Sequence, residues 1–150
     1  MKLRVPPVVQ VLLCGALGWG VAALFPTPQF GGSWRLFFAA FVSGIGAISL
    51  TLAVSAFVRA KTTVNQLDPG SAEKLVTSGL FRFSRNPMYL AMLLVLTGWV
   101  IWLGAWSAIL APALFIWIMT AFQIKPEERS LQLKFGDQFT LYRTRTRRWI

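Results

Sequence analysis

Residues 84–89, with the sequence Ser-Arg-Asn-Pro-Met-Tyr, form the first of two segments whose residue types could do chemistry. Asparagine is a common helix N-cap and proline suits the first helical position, so we expect a helix to begin here. The free N–H groups and the positive dipole end of a helix start can bind an anionic group, and Arg85 adds positive charge. The simpler alternative is a plain cap, with Tyr89 as an aromatic side chain at a membrane interface.

Residues 126–129, Pro-Glu-Glu-Arg, form the second segment and follow an apolar run directly. Acidic residues in a first helical turn complement the helix dipole, which is the ordinary explanation of such a pair. Ionisable side chains next to the membrane phase are costly, however, and often functional. Glu127 and Glu128 could hold a cationic ligand or accept a proton, so we take both as candidate catalytic residues.

Metal chemistry is not expected from this composition. The sequence contains no histidine and one cysteine, Cys14, which lies in an apolar run. The imidazole ligands of zinc, haem and di-iron sites are therefore lacking, and so is an imidazole base. We predict no metal site and no intrachain disulfide.

The elements that must position the two segments are apolar helices. The chain has 150 residues, room for one domain, and only 13% of them are charged, against about a quarter in soluble domains. Four apolar runs approach the roughly 20 residues that a membrane-spanning helix needs. The sequence predicts a single all-α integral membrane domain with spans at about 5–25, 34–58, 87–103 and 106–124. A cytoplasmic amphipathic helix is predicted at about 126–142.

Basic residues set the predicted orientation. With both termini in the cytoplasm, fourteen of the fifteen lysines and arginines lie on the cytoplasmic side, and only Arg35 does not. The formal charge of +10 is concentrated between the apolar runs and at the ends of the chain. Nucleic-acid binding is not expected, because it needs a basic face on a soluble module. A cleavable signal peptide is also disfavoured, since no A-x-A site precedes Pro26.

Residues 75–89, the Glu-Glu pair at 127–128 and residues 135–142 resemble the superfamily of isoprenylcysteine carboxyl methyltransferases and phospholipid methyltransferases. That pattern reads L-V-T-x-G-x-Y, R-H-P-x-Y, a helical hairpin, E-E-x-x-L and F-G-x-x-Y-x-x-Y. This chain has L-V-T-S-G-L-F, R-N-P-M-Y, E-E-R-S-L and F-G-D-Q-F-T-L-Y in the same order. The resemblance implies a membrane methyltransferase that uses S-adenosylmethionine at the cytoplasmic face.

The resemblance also implies a set of site residues. Its cofactor contacts fall on Gln66, Leu75, Val76, Phe81, Asn86, Pro87, Met88, Tyr89 and Glu127. Glu127 is expected to meet the ammonium of the cofactor, and the backbone N–H groups at 86–88 its adenosine or carboxylate end. The two segments suit such a zwitterionic, partly apolar molecule, because one offers an anion site and the other a carboxylate.

The chain departs from the superfamily pattern in ways that bear on the acceptor. Asn86 replaces a histidine, while Phe81 and Phe139 replace tyrosines. In the prenylcysteine branch an arginine meets the substrate carboxylate, and this arginine lies one turn before the glutamate. This chain has Gln123 at that position. We therefore expect a phospholipid or another small hydrophobic acceptor, contacted by Gln123, rather than a prenylcysteine.

Two other functions stay open at this stage. Sterol reductases share the carboxyl-terminal architecture of this superfamily but use a nicotinamide cofactor and are much larger. A non-enzymatic packing or lipid-binding protein would leave both segments as ordinary helix starts. The methyltransferase must bind S-adenosylmethionine, the reductase a nicotinamide and the packing protein neither.

Overall fold

The computed structural model describes residues 5–25, 27–59 and 74–150. Its helices are α1 Pro7–Leu24, α2 Trp34–Arg59, α3 Pro87–Leu103, α4 Leu110–Ile118, α5 Lys125–Phe135 and α6 Asp137–Arg145. Short 3-10 turns at Gly79–Arg82 and Trp106–Ile109 precede α3 and α4, and a π-helical segment at Met119–Ile124 joins α4 to α5. The described ranges contain no β-strand, in agreement with the predicted all-α class.

Among the described residues, three helical stretches are long and apolar enough to cross a membrane: Pro7–Leu24, Trp34–Arg59 and the continuous run Trp106–Phe135. The fourth apolar helix, α3, has 17 residues. At 1.5 Å per residue it is about 25 Å long, short of the roughly 30 Å of a hydrocarbon core. All four predicted apolar runs are therefore helical at the expected positions, and three of them meet the length of a full span.

The amphipathic helix predicted at about 126–142 is divided in the structure. Residues 125–135 continue the fourth apolar helix without a break, and Gly136, at φ +49°, ends α5 before α6 begins. Pro126 was expected to open a new helix, because proline suits the first turn of one. The π-helical turn just before it is wider than an α-turn, which leaves room for the proline ring inside a continuous helix.

α2 and α3 pack through small residues. A Cβ added to Gly46 of α2 would lie 2.9 Å from the carbonyl oxygen of Ala91. On the facing helix, a Cβ added to Gly98 would meet the hydroxyl of Ser43 and lie 2.9 Å from the carbonyl oxygen of Ala39. Small residues let the two backbones approach this closely, which is a common way for membrane helices to associate.

α3 is the buried centre of the bundle. Its inward side chains form one cluster with residues of α1 and of the fourth apolar helix, including Cys14, Tyr89, Met92, Leu96, Val100, Ala111, Phe115 and Met119. Large apolar side chains on α1 and α2, such as Leu12 and Phe37, are exposed at the outside of the bundle. Apolar residues that face outward are compatible with lipid as the surrounding solvent.

The connections divide the bundle into two ends. At one end Gly104, at φ +68°, makes the tight turn between α3 and the fourth helix, and its carbonyl accepts the N–H of Phe30 at 3.0 Å. The isolated bridge between Gln29 and Ala105 belongs to the same end. The starts of α3 and α5 therefore share the other end.

We expect Gly46→Ala to lower the thermal midpoint of unfolding in detergent, because the added Cβ would press on the backbone of α3. Overpacking of this kind costs about 1–3 kcal/mol. Gly44→Ala is the matched control in the same helix, since no other part of the fold lies within 4 Å of its Cβ position. An equal loss of stability in the two variants would contradict the close α2–α3 contact.

Candidate active site

A hydrogen bond between α3 and α5 lies at the centre of the candidate site. The hydroxyl of Tyr89 donates to Oε2 of Glu127 at 2.8 Å, across 38 residues of sequence. Tyr89 is buried in the first turn of α3, and Glu127 is partly buried in the first turn of α5. The two candidate segments of the sequence, residues 84–89 and 126–129, therefore meet at one end of the bundle.

Glu127 has no paired cation among the residues that the structure describes. The ion pairs in the described ranges all involve Glu128, and Tyr89 is the side chain that bonds the Glu127 carboxylate there. Its second oxygen, Oε1, is thus available to accept a hydrogen bond. A carboxylate that is partly removed from water and lacks a counterion attracts a cationic ligand.

A line of polar side chains continues from this pair into the bundle. The amide of Gln123 lies 3.5 Å from the hydroxyl of Tyr89, and the amide of Gln10 lies 3.5 Å from Oε1 of Gln123. Both contacts are long for hydrogen bonds and correspondingly weak. Gln123 is 1% exposed and Gln10 is 7% exposed, so the two amides lie in the interior of the apolar bundle.

Gln10 was not among the residues predicted from the sequence. Its Nε2 also donates to the carbonyl of Val5 at 3.1 Å, while its Oε1 is buried without a hydrogen-bond partner. A signal for it existed, since Gln10 is the one amide or charged side chain between Val5 and Phe25. Polar side chains inside a membrane segment are candidates for function.

Glu128, the other predicted carboxylate, has a different environment. Arg148 forms a bidentate pair with it, through contacts of 2.7 Å and 3.1 Å, and Arg85 approaches its Oε1 at 2.9 Å. Both oxygens of Glu128 are therefore engaged. The hydrogen bonds to Glu128 raise the pKa of the Arg148 guanidinium above its usual value.

The C-terminal segment lies across the start of α3. The backbone N–H of Arg85 donates to the carbonyl of Arg147 at 2.9 Å. Asn86 occupies the predicted N-cap position, but its side chain makes no capping bond and donates instead to the carbonyl of Arg148 at 2.9 Å. The cap position is confirmed, whereas the side chain of Asn86 ties the C-terminal segment to α3.

Two further side chains fasten this segment and α6. The indole N–H of Trp149 donates to the hydroxyl of Thr120 at 3.2 Å. The hydroxyl of Tyr142 donates to the carbonyl of Phe81 at 2.7 Å, and burial raises the pKa of that phenol. No sequence pattern indicated these contacts, because they join segments far apart in the chain.

The remaining predicted cofactor residues lie in different surroundings. Val76, Phe81 and Met88 are buried together in an apolar cluster against Ala53 of α2. Leu75 lines a cleft of about 550 Å³ between residues 75–82 and α6. Pro87 is buried at the first position of α3, and Gln66 lies outside the described residues.

The sequence model of the phospholipid methyltransferase family matches residues 34–138, more than two thirds of the chain. The chain belongs to the phospholipid methyltransferase family. This confirms the superfamily resemblance of the motifs. Family membership implies a membrane methyltransferase, which agrees with the three long apolar helices, so the protein is an integral membrane protein.

A protein of Haemophilus influenzae (strain ATCC 51907 / DSM 11121 / KW20 / Rd), described as uncharacterized, is 44% identical over 63 residues. The alignment covers 42% of this chain and 100% of that protein. No solved structure matches the chain significantly. Gln10 and Arg148 lie outside residues 34–138, which the phospholipid methyltransferase family model matches. The Gln10–Gln123 and Asn86–Arg148 contacts therefore each involve one residue outside the matched range.

Glu128→Gln should lower the free energy of unfolding, because Arg85 and Arg148 would then share a partner without charge. Breaking a fully buried pair costs roughly 3–5 kcal/mol. We expect about 2–3 kcal/mol, since the Arg148 side chain is 33% exposed. Thermal unfolding in detergent measures the loss.

Asp137→Asn is the control for this substitution, since Asp137 is exposed and has no ion pair in the described part of the chain. A Glu128 variant as stable as the Asp137 variant would show that the arginine cluster does not support the fold.

Proposed function

We propose that this protein transfers the methyl group of S-adenosylmethionine to a hydrophobic or lipid-like acceptor at the cytoplasmic membrane face. One observation carries the proposal: the Glu127 carboxylate is hydrogen-bonded to Tyr89 where α3 and α5 meet, and it has no counterion in the described ranges. Membership of the phospholipid methyltransferase family supports it. The cofactor, when bound, supplies an activated methyl group on a positive sulfonium.

The residues at this site suit such a cofactor. Glu127 would hold the ammonium group, because its Oε1 has no bond from the described residues. The start of α3, from Asn86 through Pro87 and Met88, would hold the adenosine or carboxylate end. Apolar surface for the adenosine would come from Leu75, Val76 and Phe81. Gln66 is proposed as a further polar contact.

Positioning and exclusion of water are the main tasks left to the protein, because the methyl donor is already activated. The Tyr89 hydrogen bond holds the Glu127 carboxylate in one orientation. A carboxylate or thiolate acceptor needs no base, whereas an amine must lose a proton. Of the two candidate carboxylates, Glu127 is the better placed base, since arginines engage both oxygens of Glu128.

The acceptor is proposed to be a phospholipid or another small hydrophobic molecule. Gln123 occupies the position at which the prenylcysteine branch has an arginine for the substrate carboxylate. A buried, uncharged amide cannot form an ion pair with a carboxylate, but it can donate or accept hydrogen bonds. Contact of the acceptor with Gln123 would place it next to Tyr89.

Both termini are proposed to face the cytoplasm. The positive-inside rule favours the side that carries all the lysines and arginines except Arg35. Arg85, Arg148 and Glu128 are clustered at the same end of the bundle as the Tyr89–Glu127 pair. The site would then face the cytoplasm, from which a soluble cofactor can enter.

Binding of tritiated S-adenosylmethionine to the protein purified in detergent tests the cofactor assignment. We expect Glu127→Gln to weaken binding at least tenfold, because it removes the charge opposite the ammonium group; tenfold corresponds to about 1.4 kcal/mol. Asp137→Asn should bind like the wild-type protein. Unchanged affinity in the Glu127 variant would remove its proposed role, and binding of a nicotinamide instead would indicate a reductase.

Transfer of label into a membrane lipid extract tests the reaction. We expect tritium in the lipid phase with the wild-type protein and roughly tenfold slower labelling with Tyr89→Phe, because that change frees the Glu127 carboxylate to reorient. Thermal unfolding of the same variant checks that it is folded. A protein that binds the cofactor but labels no lipid would contradict a lipid-like acceptor.

A further inference from the structure

A second cleft, of about 530 Å³, lies against another face of α5. Lys125, Glu128, Arg129, Gln132 and Leu133 of α5 line it, together with Arg143 and Arg148. The α5 residues follow the spacing of one helical face, which does not include Glu127. The cleft therefore belongs to a part of the molecule that the proposed methyl transfer does not use.

Positive charge in this cleft exceeds what its one carboxylate can balance. Both oxygens of Glu128 are already bonded to arginines. Lys125, Arg129 and Arg143 have no acidic partner among residues 5–25, 27–59 and 74–150. Three cationic side chains around one concave surface are thus uncompensated within those ranges.

Arg85, which forms an ion pair with Glu128, is affected by the same excess of positive charge. Its Nε is buried without a hydrogen-bond partner. Burial lowers the pKa of the Arg85 guanidinium, and the Glu128 carboxylate opposes that shift. The positive charges of Arg148 and Arg143 lower the same pKa further, so the guanidinium groups repel one another. An anion bound in the cleft would relieve this repulsion.

The cleft also has an apolar edge. Leu133 lines it and is 89% exposed, although most of its neighbours on α5 are polar. α5 continues directly from the fourth apolar helix, which spans residues 106–124 before it. Those residues account for about 28 Å of rise, close to the roughly 30 Å of a hydrocarbon core, which would place the cleft near the lipid headgroups.

We propose that this cleft binds the phosphate of an anionic phospholipid, at a site apart from the Tyr89–Glu127 pair. Arg129 of α5 and Arg143 of α6 come from different helices and face the same space, which suits the several oxygens of one phosphate. Leu133 would contact the glycerol and upper acyl region of the same lipid. A soluble phosphate would use the arginines but not this apolar edge.

The test compares ligands and variants of the full-length protein in a neutral detergent. Dioctanoyl phosphatidylglycerol should raise the thermal midpoint of the wild-type protein, and dioctanoyl phosphatidylcholine should raise it much less. The double variant Arg129→Gln with Arg143→Gln should bind phosphatidylglycerol at least tenfold more weakly. The control removes equal charge outside the cleft, with Arg145→Gln and Arg147→Gln, and should keep wild-type affinity.

Three outcomes would overturn the proposal or part of it. An equal loss in both double variants would mean general attraction of anions to a basic protein. Equal affinity of the wild-type protein for phosphatidylglycerol and phosphatidylcholine would mean that the anionic headgroup is not recognised. Inorganic phosphate that replaces the lipid completely would keep the phosphate site but rule out the lipid as its ligand.

Further measurements distinguish a loss of lipid binding from a loss of folding or of catalysis. If the double variant does not fold, Arg129→Gln and Arg143→Gln are measured singly, and each should bind phosphatidylglycerol about threefold more weakly. Native mass spectrometry of bound phosphatidylglycerol gives a readout that does not depend on unfolding. Neither measurement requires S-adenosylmethionine, so failure of the proposed methyl transfer would leave the result interpretable.

Discussion

The hydrogen bond between Tyr89 and Glu127 joins the first turn of α3 to the first turn of α5, and the candidate site is arranged around it. It depends on two features of the bundle. The tight turn at Gly104 makes α3 and the fourth helix antiparallel, and the small residues between α2 and α3 hold α3 at the centre. A carboxylate can stay at this depth because a buried phenol donates to it.

Adjacent carboxylates at the start of α5 have separate surroundings because of helical geometry. Successive residues in a helix point about 100° apart, so Glu127 and Glu128 face different parts of the molecule. Glu127 faces the interior and accepts a hydrogen bond from the neutral Tyr89 side chain, while Glu128 meets two arginines. The same turn of helix thus holds one carboxylate without an ion pair to any described residue and a paired one that fastens the C-terminal segment.

Local patterns predicted the apolar helices well. The runs expected at 34–58 and 87–103 are α2, Trp34–Arg59, and α3, Pro87–Leu103. Apolar length is a property of each segment by itself, because a membrane helix satisfies its own backbone hydrogen bonds. The predicted break between the fourth helix and α5 was wrong, since a proline in the sequence does not reveal the π-helical turn that precedes it.

The sequence by itself determined the membrane class, the helix positions and the two segments that contain the candidate site residues, because apolar runs, helix starts and family motifs are local in the chain. Tertiary structure alone decided which partners those segments have. Gln10 reaches Gln123 across 113 residues, and Asn86 bonds the carbonyl of Arg148 across 62. Such contacts depend on how the helices pack and on the path of the C-terminal segment. Neither can be predicted from the spacing of residues along one segment.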